Sequence, residues 1–221
     1  MDPTFEKIAY FTIYNKPIDT QDSNQSIDPT VFIELENQLP TIITNDGDFI
    51  SVLLFLLEHI PLEIDLNVLT STETNFHQLC LSTRKMYKLN LNPNVQYRYD
   101  YSSQSQSILQ HIFRNAQVKT LEELPRFKQN VQQIFNRLTP LLLKTTYTQY
   151  PVAIELFVQI IKCLDQPTLT ESFDLIFSVC LITLDDPSID MKLVSLYLLY
   201  HLQKYCTSTE LLLFNRANVI M

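Results

Sequence analysis

The amino-acid sequence predicts an all-α protein, and three observations support this fold class. The 221 residues include a single glycine, Gly47, where average usage would give roughly fifteen. Tight β-hairpins and phosphate-binding loops depend on glycine, so the sequence argues against an all-β fold and against a nucleotide-binding loop. Apolar residues recur at steps of three and four along the second half of the chain, and Pro, Asp, Asn and Ser fill the segments between them. These intervals predict about nine helices.

Charge is distributed unevenly along the chain. The net charge is −8. Residues 1–75 contain thirteen acidic and two basic residues, whereas residues 84–144 contain ten basic and three acidic residues. This asymmetry suggests a polar partner or internal charge complementarity, and solvated helix faces are the simpler alternative.

Residues 1–100 are predicted to form an acidic helical region that contains two loops. The first loop, at 15–28, is rich in Asp, Asn, Ser and Pro. The second, at 89–107, is rich in Asn, Pro, Tyr and Ser. A loop as long as the second is uncommon inside a compact domain and is often functional or disordered.

Three helices are predicted within this N-terminal region. Asp28 is suited to cap the first helix, with Pro29 at its first helical position, and Pro40 is expected to end it. Asp48 is suited to cap the second helix. The predicted helices cover residues 29–39, 49–60 and 71–88.

Residues 107–221 are predicted to form stacked helical repeats. The clearest pair of helices spans 171–205, and a looser pair spans 124–164. Each helix of the clear pair has a second apolar set beside its main stripe, so the hairpin cannot cover its own apolar surface. Leu181 and Leu196 of the main stripes are expected in the core, where a charge would unfold this half of the chain. The pattern predicts an irregular α-solenoid that is continuous with the N-terminal region.

A short acidic turn joins the two helices of the clear pair. Pro187 breaks the first helix, and Asp186 or Ser188 can accept hydrogen bonds from the first N–H groups of the second. Lys192, one turn into the second helix, can reach back toward the carboxylates of Asp185 and Asp186. An acidic turn with proline and a following basic residue resembles the turns of HEAT repeats, so the predicted solenoid is HEAT-like.

Four segments near the C-terminus resemble the Tel-two-interacting protein two family. In that family a leucine-rich helix ends in a double aspartate, a basic residue and a leucine-rich helix follow, and a short element with leucines and an arginine comes last. One position departs from this pattern, because Val194-Ser195 stands where a small residue, often glycine, is expected. The family continues for many more helices, so the chain is expected to be a fragment, a short isoform or a short relative. The resembling segments are Leu181–Ser188, Met191–Leu193, Leu198–Leu202 and Leu211–Ile220.

This resemblance implies a scaffold or adaptor subunit and not an enzyme. The family belongs to a three-subunit co-chaperone assembly that works with a heat-shock chaperone system to mature giant kinases related to phosphatidylinositol kinases. The implied partners are larger helical-repeat subunits and the giant kinases, in a hetero-oligomer located in the cytoplasm, the nucleus or both. A HEAT-type adaptor of another intracellular complex is the alternative within the same class.

An all-α metal-dependent enzyme is the alternative from a different class. Asp185, Asp186 and Asp190 resemble the aspartate-rich magnesium motif of isoprenoid synthases, in which the carboxylates share one helical face. Pro187 should break the helix between them, and the second acidic cluster and the basic diphosphate clamp are missing. The four histidines are isolated in sequence and form no triad or metal-binding signature. We therefore expect no catalytic residues, no metal ligands and no cofactor.

A basic stretch with several tyrosines raises the question of nucleic-acid binding. Arg84, Lys85, Lys88 and Arg98 stand among tyrosines that could stack on bases. The whole chain is acidic, with a pI of about 4.9, and no RNA-binding signature is present. We expect no nucleic-acid partner and interpret the stretch as a docking surface for an acidic partner, with the chain's own N-terminal segment as one candidate.

Three hydroxyl residues precede glutamine in the two predicted loops. They are Thr20 in the first loop and Ser103 and Ser105 in the second. Serine or threonine followed by glutamine is the preferred site of the kinases that the resembling family serves. Phosphate at these positions would add roughly −1.5 to −2 charges per site next to a basic region. We interpret all three as candidate phosphorylation sites.

Isolated cysteines and short apolar runs indicate a reduced, intracellular protein without a membrane span. Cys163, Cys180 and Cys206 fall on apolar helical faces, where cysteine behaves as a small hydrophobic residue. The longest apolar run, Val52–Leu57, is far shorter than a membrane-spanning helix. The N-terminus also lacks the pattern of a signal peptide. We therefore expect no membrane partner.

Overall fold

The computed structural model is all-helical, as predicted, and contains one pair of very short strands. It describes residues 3–21, 27–42, 45–65, 86–89 and 91–205, and nine α-helices lie within these ranges. The chain divides into two compact units. The first unit comprises Met1–Pro61 and Asn92–Gln159, and the second comprises Leu62–Leu91 and Ile160–Met221. These units differ from the two sequence regions defined above, so the joining of residues 1–100 to a repeat array stays a prediction.

The described residues of the first unit form six α-helices and four 3-10 segments. The sixth helix, α6, begins in the first unit, and its last three residues belong to the second. The 3-10 segments are Ile18–Thr20, Pro93–Tyr101, Thr139–Leu141 and Tyr147–Gln149. The helices are α1 Pro3–Phe11, α2 Thr30–Ile42, α3 Asp46–Glu58, α4 Ser102–Asn115, α5 Pro125–Leu138 and α6 Pro151–Lys162.

Side-chain caps set the starts of α2 and α3. The Asp28 carboxylate accepts a hydrogen bond from the Thr30 N–H at 2.9 Å, which confirms the predicted role of Asp28. At α3 the prediction was wrong by one turn. The cap is Asn45, whose side-chain oxygen accepts from the Asp48 N–H at 2.9 Å. Asp48 instead lies in the first turn, where its negative charge favours the helix N-terminus.

The predicted end of α2 at Pro40 was also wrong. Helix α2 continues two residues past this proline, to Ile42. Proline has no N–H, so Pro40 cannot donate the helical hydrogen bond to the carbonyl of Glu36. The helix nevertheless continues for its last two residues.

The predicted long loop at 89–107 is largely helical. Residues Pro93–Tyr101 form 3-10 turns that meet at a kink at Val95, and α4 then begins at Ser102. The polar run of Ser and Gln at the start of α4 hides this helix from a periodicity argument, since its apolar stripe begins only at Ile108.

Helix α4 ends without glycine. Gln117 adopts a positive φ of 57°, and the Val118 N–H donates to the Phe113 carbonyl at 2.9 Å. Glycine is the usual residue at such a left-handed helix end. A chain with one glycine uses Gln117 there and accepts the steric cost of its Cβ.

The core of the first unit is built around α3. This helix is buried on all sides from Phe49 to Glu58, and it packs against α4 and α5. Stacked aromatic rings continue the core, with Phe32 5.5 Å from Phe55 and 5.3 Å from Tyr101 between ring centroids. Because α3 is apolar all round, it can be stable only inside such a unit.

The described residues of the second unit include a short sheet and three further helices. Strands β1 (Glu63–Asp65) and β2 (Met86–Lys88) pair antiparallel, with Ile64 opposite Tyr87. The predicted helix over 71–88 falls mostly outside the described residues, and its last three residues are strand. The helices are α7 Gln166–Glu171, α8 Phe173–Leu184 and α9 Ile189–Tyr205.

Helices α8 and α9 form the predicted hairpin, but the prediction that Leu181 and Leu196 lie in its core was wrong. These two leucines are 49% and 46% exposed. The buried residues come partly from the main stripes, as with Phe173, Cys180 and Tyr197, and partly from positions beside them. They are Phe173, Ile176, Val179, Cys180 and Thr183 on α8, and Met191, Val194, Ser195, Tyr197, Leu198, His201 and Leu202 on α9.

Candidate protein-interaction surface

The chain turns between α8 and α9 at Asp185, Asp186 and Pro187. Helix α8 ends at Leu184, and the Asp186 carboxylate accepts a hydrogen bond from the Ser188 N–H at 2.8 Å. The Lys192 N–H donates to the Ser188 carbonyl at 3.1 Å as α9 begins. The turn residues Asp185, Asp186 and Pro187 therefore bring the two helices back against each other. The contact of the Lys192 side chain with the aspartates stays a prediction.

A side-chain to backbone hydrogen bond links the two helices of the hairpin. The buried Ser195 hydroxyl donates to the Cys180 carbonyl at 2.7 Å. Ser195 is one of the two residues at the position where the resembling family has a small side chain, so a small residue does lie at this contact. Burial raises the pKa of Cys180 to about 12, so its thiol stays protonated and unreactive.

The exposed apolar residues of the two helices lie on the same side of the hairpin. Leu181 follows Cys180 by one residue, and Leu196 follows Ser195 by one residue. Each leucine is therefore rotated by about 100° about its own helix axis, away from the Ser195–Cys180 hydrogen bond. Because the two helices run antiparallel, one step forward along each chain from the facing positions leads to the same side of the pair. Leu184 and Ile189 continue these two stripes at helical spacing.

We name this side the outer face and define it by Leu181, Leu184, Ile189 and Leu196. Ile189 is 74% exposed and Leu184 is 43% exposed. Half-buried Phe177, Leu193 and Tyr200 extend the two stripes, and exposed Lys192 stands among them on α9. Soluble proteins seldom expose a contiguous apolar surface unless it binds another surface. The outer face can therefore bind an apolar surface of a partner.

The three candidate phosphorylation sites differ in access. Thr20 and Ser103 are exposed, whereas Ser105 is fully buried in the first turns of α4. A kinase needs access to the hydroxyl and to the flanking backbone, so Ser105 could be modified only after this helix opens locally. Ser103 lies at the N-terminal end of α4, where a phosphate would be favoured by the helix dipole.

One of the four basic residues of the predicted docking surface, Arg98, does not lie at the surface. Arg98 is completely buried, and its guanidinium pairs with Glu155 of α6. Arg98 is therefore not available to phosphate or to an acidic partner. The side chains of Arg84, Lys85 and Lys88 lie outside the described residues. Tyr99 and Tyr101 have structural partners, the Glu155 carboxylate and the Ile27 carbonyl.

Within the described residues, no three His, Cys, Asp or Glu side chains come close enough together to hold a metal ion. His59 and His201 are buried, and desolvation lowers the pKa of each to about 4, so both rings are neutral at pH 7. None of the helices in the described part of the chain is both long and apolar enough to cross a membrane.

Buried polar residues of the first unit were missed by the sequence argument. Glu58, His59, Arg98 and Glu155 are all 2% exposed or less. Local patterns gave no signal for Glu58, Arg98 and Glu155, because each pairs with a residue far along the chain. A weak signal existed for Glu155, which interrupts an otherwise apolar stretch at the start of α6.

The fold and the outer face together define an all-helical protein with a surface suited to helix–helix association. A model of the Tti2 family matches residues 143–220, about a third of the chain, which confirms the resemblance seen in residues 181–220. The matched segment contains both helices of the hairpin and its turn. Comparison with curated proteins and with solved structures gave no match.

Proposed function

We propose that this chain is a non-enzymatic scaffold or adaptor subunit of a co-chaperone complex of the Tti2 type. Such a complex supports the maturation of giant kinases related to phosphatidylinositol kinases. The observation that carries the proposal is the match of the Tti2 family model to residues 143–220, which contain the outer face. The proposed location is the cytoplasm, the nucleus or both, within a hetero-oligomer.

The outer face supplies the physical basis for this role. A larger helical-repeat subunit would lay an apolar helix along Leu181, Leu184, Ile189 and Leu196 and remove these side chains from water. Apolar burial yields about 25 cal/mol per Å², so four aliphatic side chains can contribute several kcal/mol to binding. Stacked helix pairs are also the building principle of a HEAT-like solenoid, and we propose HEAT-like repeats for residues 107–221.

The acidic turn has a positioning role in this proposal. Asp186 and Pro187 set where α8 ends and α9 begins, and so they set the alignment of the two stripes of the outer face. Lys192 would add a favourable charge interaction with Asp185 or Asp186. We assign Asp185, Asp186, Pro187 and Lys192 to the hairpin architecture and not to chemistry.

Phosphorylation would act at the exposed sites. Ser103 and Thr20 are accessible, and a phosphate on Ser103 would lie at the start of α4. We propose these two positions as modification sites, with Ser105 modified only when α4 opens. Mapping of phosphopeptides after DNA damage tests this, and unmodified Ser103 and Thr20 under those conditions would remove it.

The experiment that tests the function is purification of the tagged chain from its native cells, followed by mass spectrometry. The proposal predicts recovery of a much larger helical-repeat protein together with giant kinases. Recovery of an unrelated complex would favour the alternative, an adaptor of another assembly. A chain that co-purifies with nothing and behaves as a monomer would contradict the scaffold proposal.

A further inference from the structure

The core of the first unit contains buried polar atoms that have no protein partner. Four of them belong to Arg98, Glu155 and His59, each of which is 2% exposed or less. A buried donor or acceptor without a partner loses its hydration and gains nothing in return. The unpartnered atoms are Arg98 Nε, Arg98 Nη1, Glu155 Oε1 and His59 Nε2, together with Ser105 Oγ.

The ion pair of Arg98 and Glu155 uses only one atom from each residue. Arg98 Nη2 donates to Glu155 Oε2 and also to the Tyr99 hydroxyl, the latter at 2.6 Å. The Tyr99 hydroxyl in turn donates to the same Glu155 Oε2 at 2.7 Å. Two nitrogens of Arg98, which carry three N–H bonds, and one oxygen of Glu155 are therefore left without a protein partner.

His59 contributes an acceptor and not a donor. Its Nδ1 lies 2.6 Å from the Phe55 carbonyl oxygen, which can only accept, so Nδ1 carries the hydrogen. Desolvation, with a smaller contribution from the charge of Arg98, lowers the pKa of His59 to about 4, so Arg98 is within electrostatic reach of the ring. In this neutral tautomer Nε2 has a bare lone pair and needs a donor.

The unsatisfied groups match the hydrogen-bonding capacity of water. Arg98 offers three N–H bonds on two nitrogens, and Glu155 Oε1 and His59 Nε2 are the two acceptor atoms. A water molecule accepts from a donor with its oxygen and donates two hydrogens, so it can join both kinds. A cation would be repelled by Arg98 and an anion by Glu155. Buried water typically makes about three such hydrogen bonds.

We propose that the core of the first unit is an internal hydration site, in which ordered water accepts from Arg98 Nε and Nη1 and donates to Glu155 Oε1 and His59 Nε2. The water links the end of α3, the 3-10 turns before α4 and the start of α6. It therefore joins the two chain segments of this unit, 1–61 and 92–159. Ser105 can add a hydroxyl partner from α4.

Oxygen-17 magnetic relaxation dispersion of the full chain tests this site, because it counts waters that stay bound longer than the molecule takes to tumble. The comparison is between wild type and the double variant Arg98→Met with Glu155→Met. The matched control is Lys7→Met with Glu34→Met, which removes an ion pair whose side chains are 37% and 33% exposed. Circular dichroism checks that each variant remains helical.

The proposal predicts at least one long-lived water in wild type, its loss in the Arg98–Glu155 double variant, and an unchanged count in the control. A wild type without long-lived water would overturn the proposal, as would an unchanged count in a folded double variant. If the double variant does not fold, a nuclear Overhauser contact between water and the Arg98 Nε–H in wild type tests whether water is bound at this site. The absence of that contact would equally overturn the proposal.

Discussion

Glu58 joins the end of α3 to the chain that follows α1. Both of its carboxylate oxygens accept from the Ile13 N–H at 3.1 Å, and one also accepts from the Tyr14 N–H at 3.0 Å. Burial raises the pKa of Glu58 to about 8, although these N–H groups and the charge of Arg98 favour the ionised form. A group placed in this way makes the stability of the unit depend on pH.

The sign of that dependence follows from the raised pKa. The stability that Glu58 contributes is fully present below about pH 4.5, its unfolded pKa, and is lost as the pH rises through about 8. We expect Glu58→Gln to flatten the fall in the free energy of unfolding between these values. Urea unfolding at pH values from 5 to 9 measures this change in the free energy of unfolding. The control is Glu36→Gln, at an exposed glutamate. A slope identical to that of wild type would show that Glu58 does not titrate in this range.

His59 gives the opposite dependence at acid pH. Its folded pKa is lowered to about 4 from 6.5, so its contribution is present above about pH 6.5 and is lost as the pH falls through about 4. We expect His59→Gln to reduce the acid loss by up to about 3 kcal/mol, since one pKa unit corresponds to about 1.4 kcal/mol. The same unfolding series measures this, and His111→Gln serves as the half-buried control. An acid limb that His59→Gln leaves unchanged would contradict the burial of a neutral ring.

Removing one partner of the Arg98–Glu155 pair should destabilise the first unit strongly. Glu155→Met leaves a buried guanidinium without its carboxylate, and we expect a loss of about 3 to 5 kcal/mol. Arg98→Met in the same chain should restore most of that stability, because no buried charge remains. Glu34→Met, at a partly exposed pair, should cost less than about 1 kcal/mol. Chemical denaturation compares the variants, and equal losses in Glu155→Met and Glu34→Met would contradict a buried pair.

At the scale of single residues, sequence reasoning predicts caps better than buried charges. Asp28 was predicted correctly because its hydrogen bond reaches only two residues along the chain. Arg98 was assigned to a docking surface because its partner is 57 residues away and local pattern cannot show it. An arginine is almost never buried without such a partner, so composition alone favours exposure.

At the scale of elements, the hairpin shows what periodicity can and cannot decide. Helices α8 and α9 were predicted because their apolar residues recur at steps of three and four. Both helices are apolar on more than one side, so the period does not say which stripe faces inward. In the structure, the side of each helix that faces the other carries the hydrogen bond from Ser195 to the Cys180 carbonyl. Ser195 is a small polar residue, so an apolar period does not mark this side.

Neighbouring positions on α9 provide a matched test of the two sides. Val194 is fully buried and Leu196 is 46% exposed. We expect Val194→Asp to destabilise the second unit by more than about 3 kcal/mol, because it places an unpaired charge in the core. Leu196→Asp should change stability by less than about 1 kcal/mol. Thermal melting compares the two, and equal melting temperatures would mean that the assignment of core and outer face is wrong.

At the scale of the whole molecule, composition predicts the fold class. One glycine in 221 residues leaves few ways to build hairpins, and the described residues contain no strands beyond two of three residues each. The division into two units was not predicted, because each unit combines segments that are distant in sequence. The family resemblance was predicted from degenerate leucine and aspartate spacing, and it is confirmed over residues 143–220.

Binding of a partner subunit to the outer face can be tested by comparing three tagged chains. Wild type, Leu196→Asp and Gln133→Asp would be purified from native cells and the co-purifying proteins quantified. Gln133 is exposed on α5 and is not one of the residues of the outer face, so it serves as the control for the added charge. We predict that Leu196→Asp loses the large helical-repeat partner at least tenfold while Gln133→Asp retains it. Full recovery of that partner with a folded Leu196→Asp chain would contradict the claim.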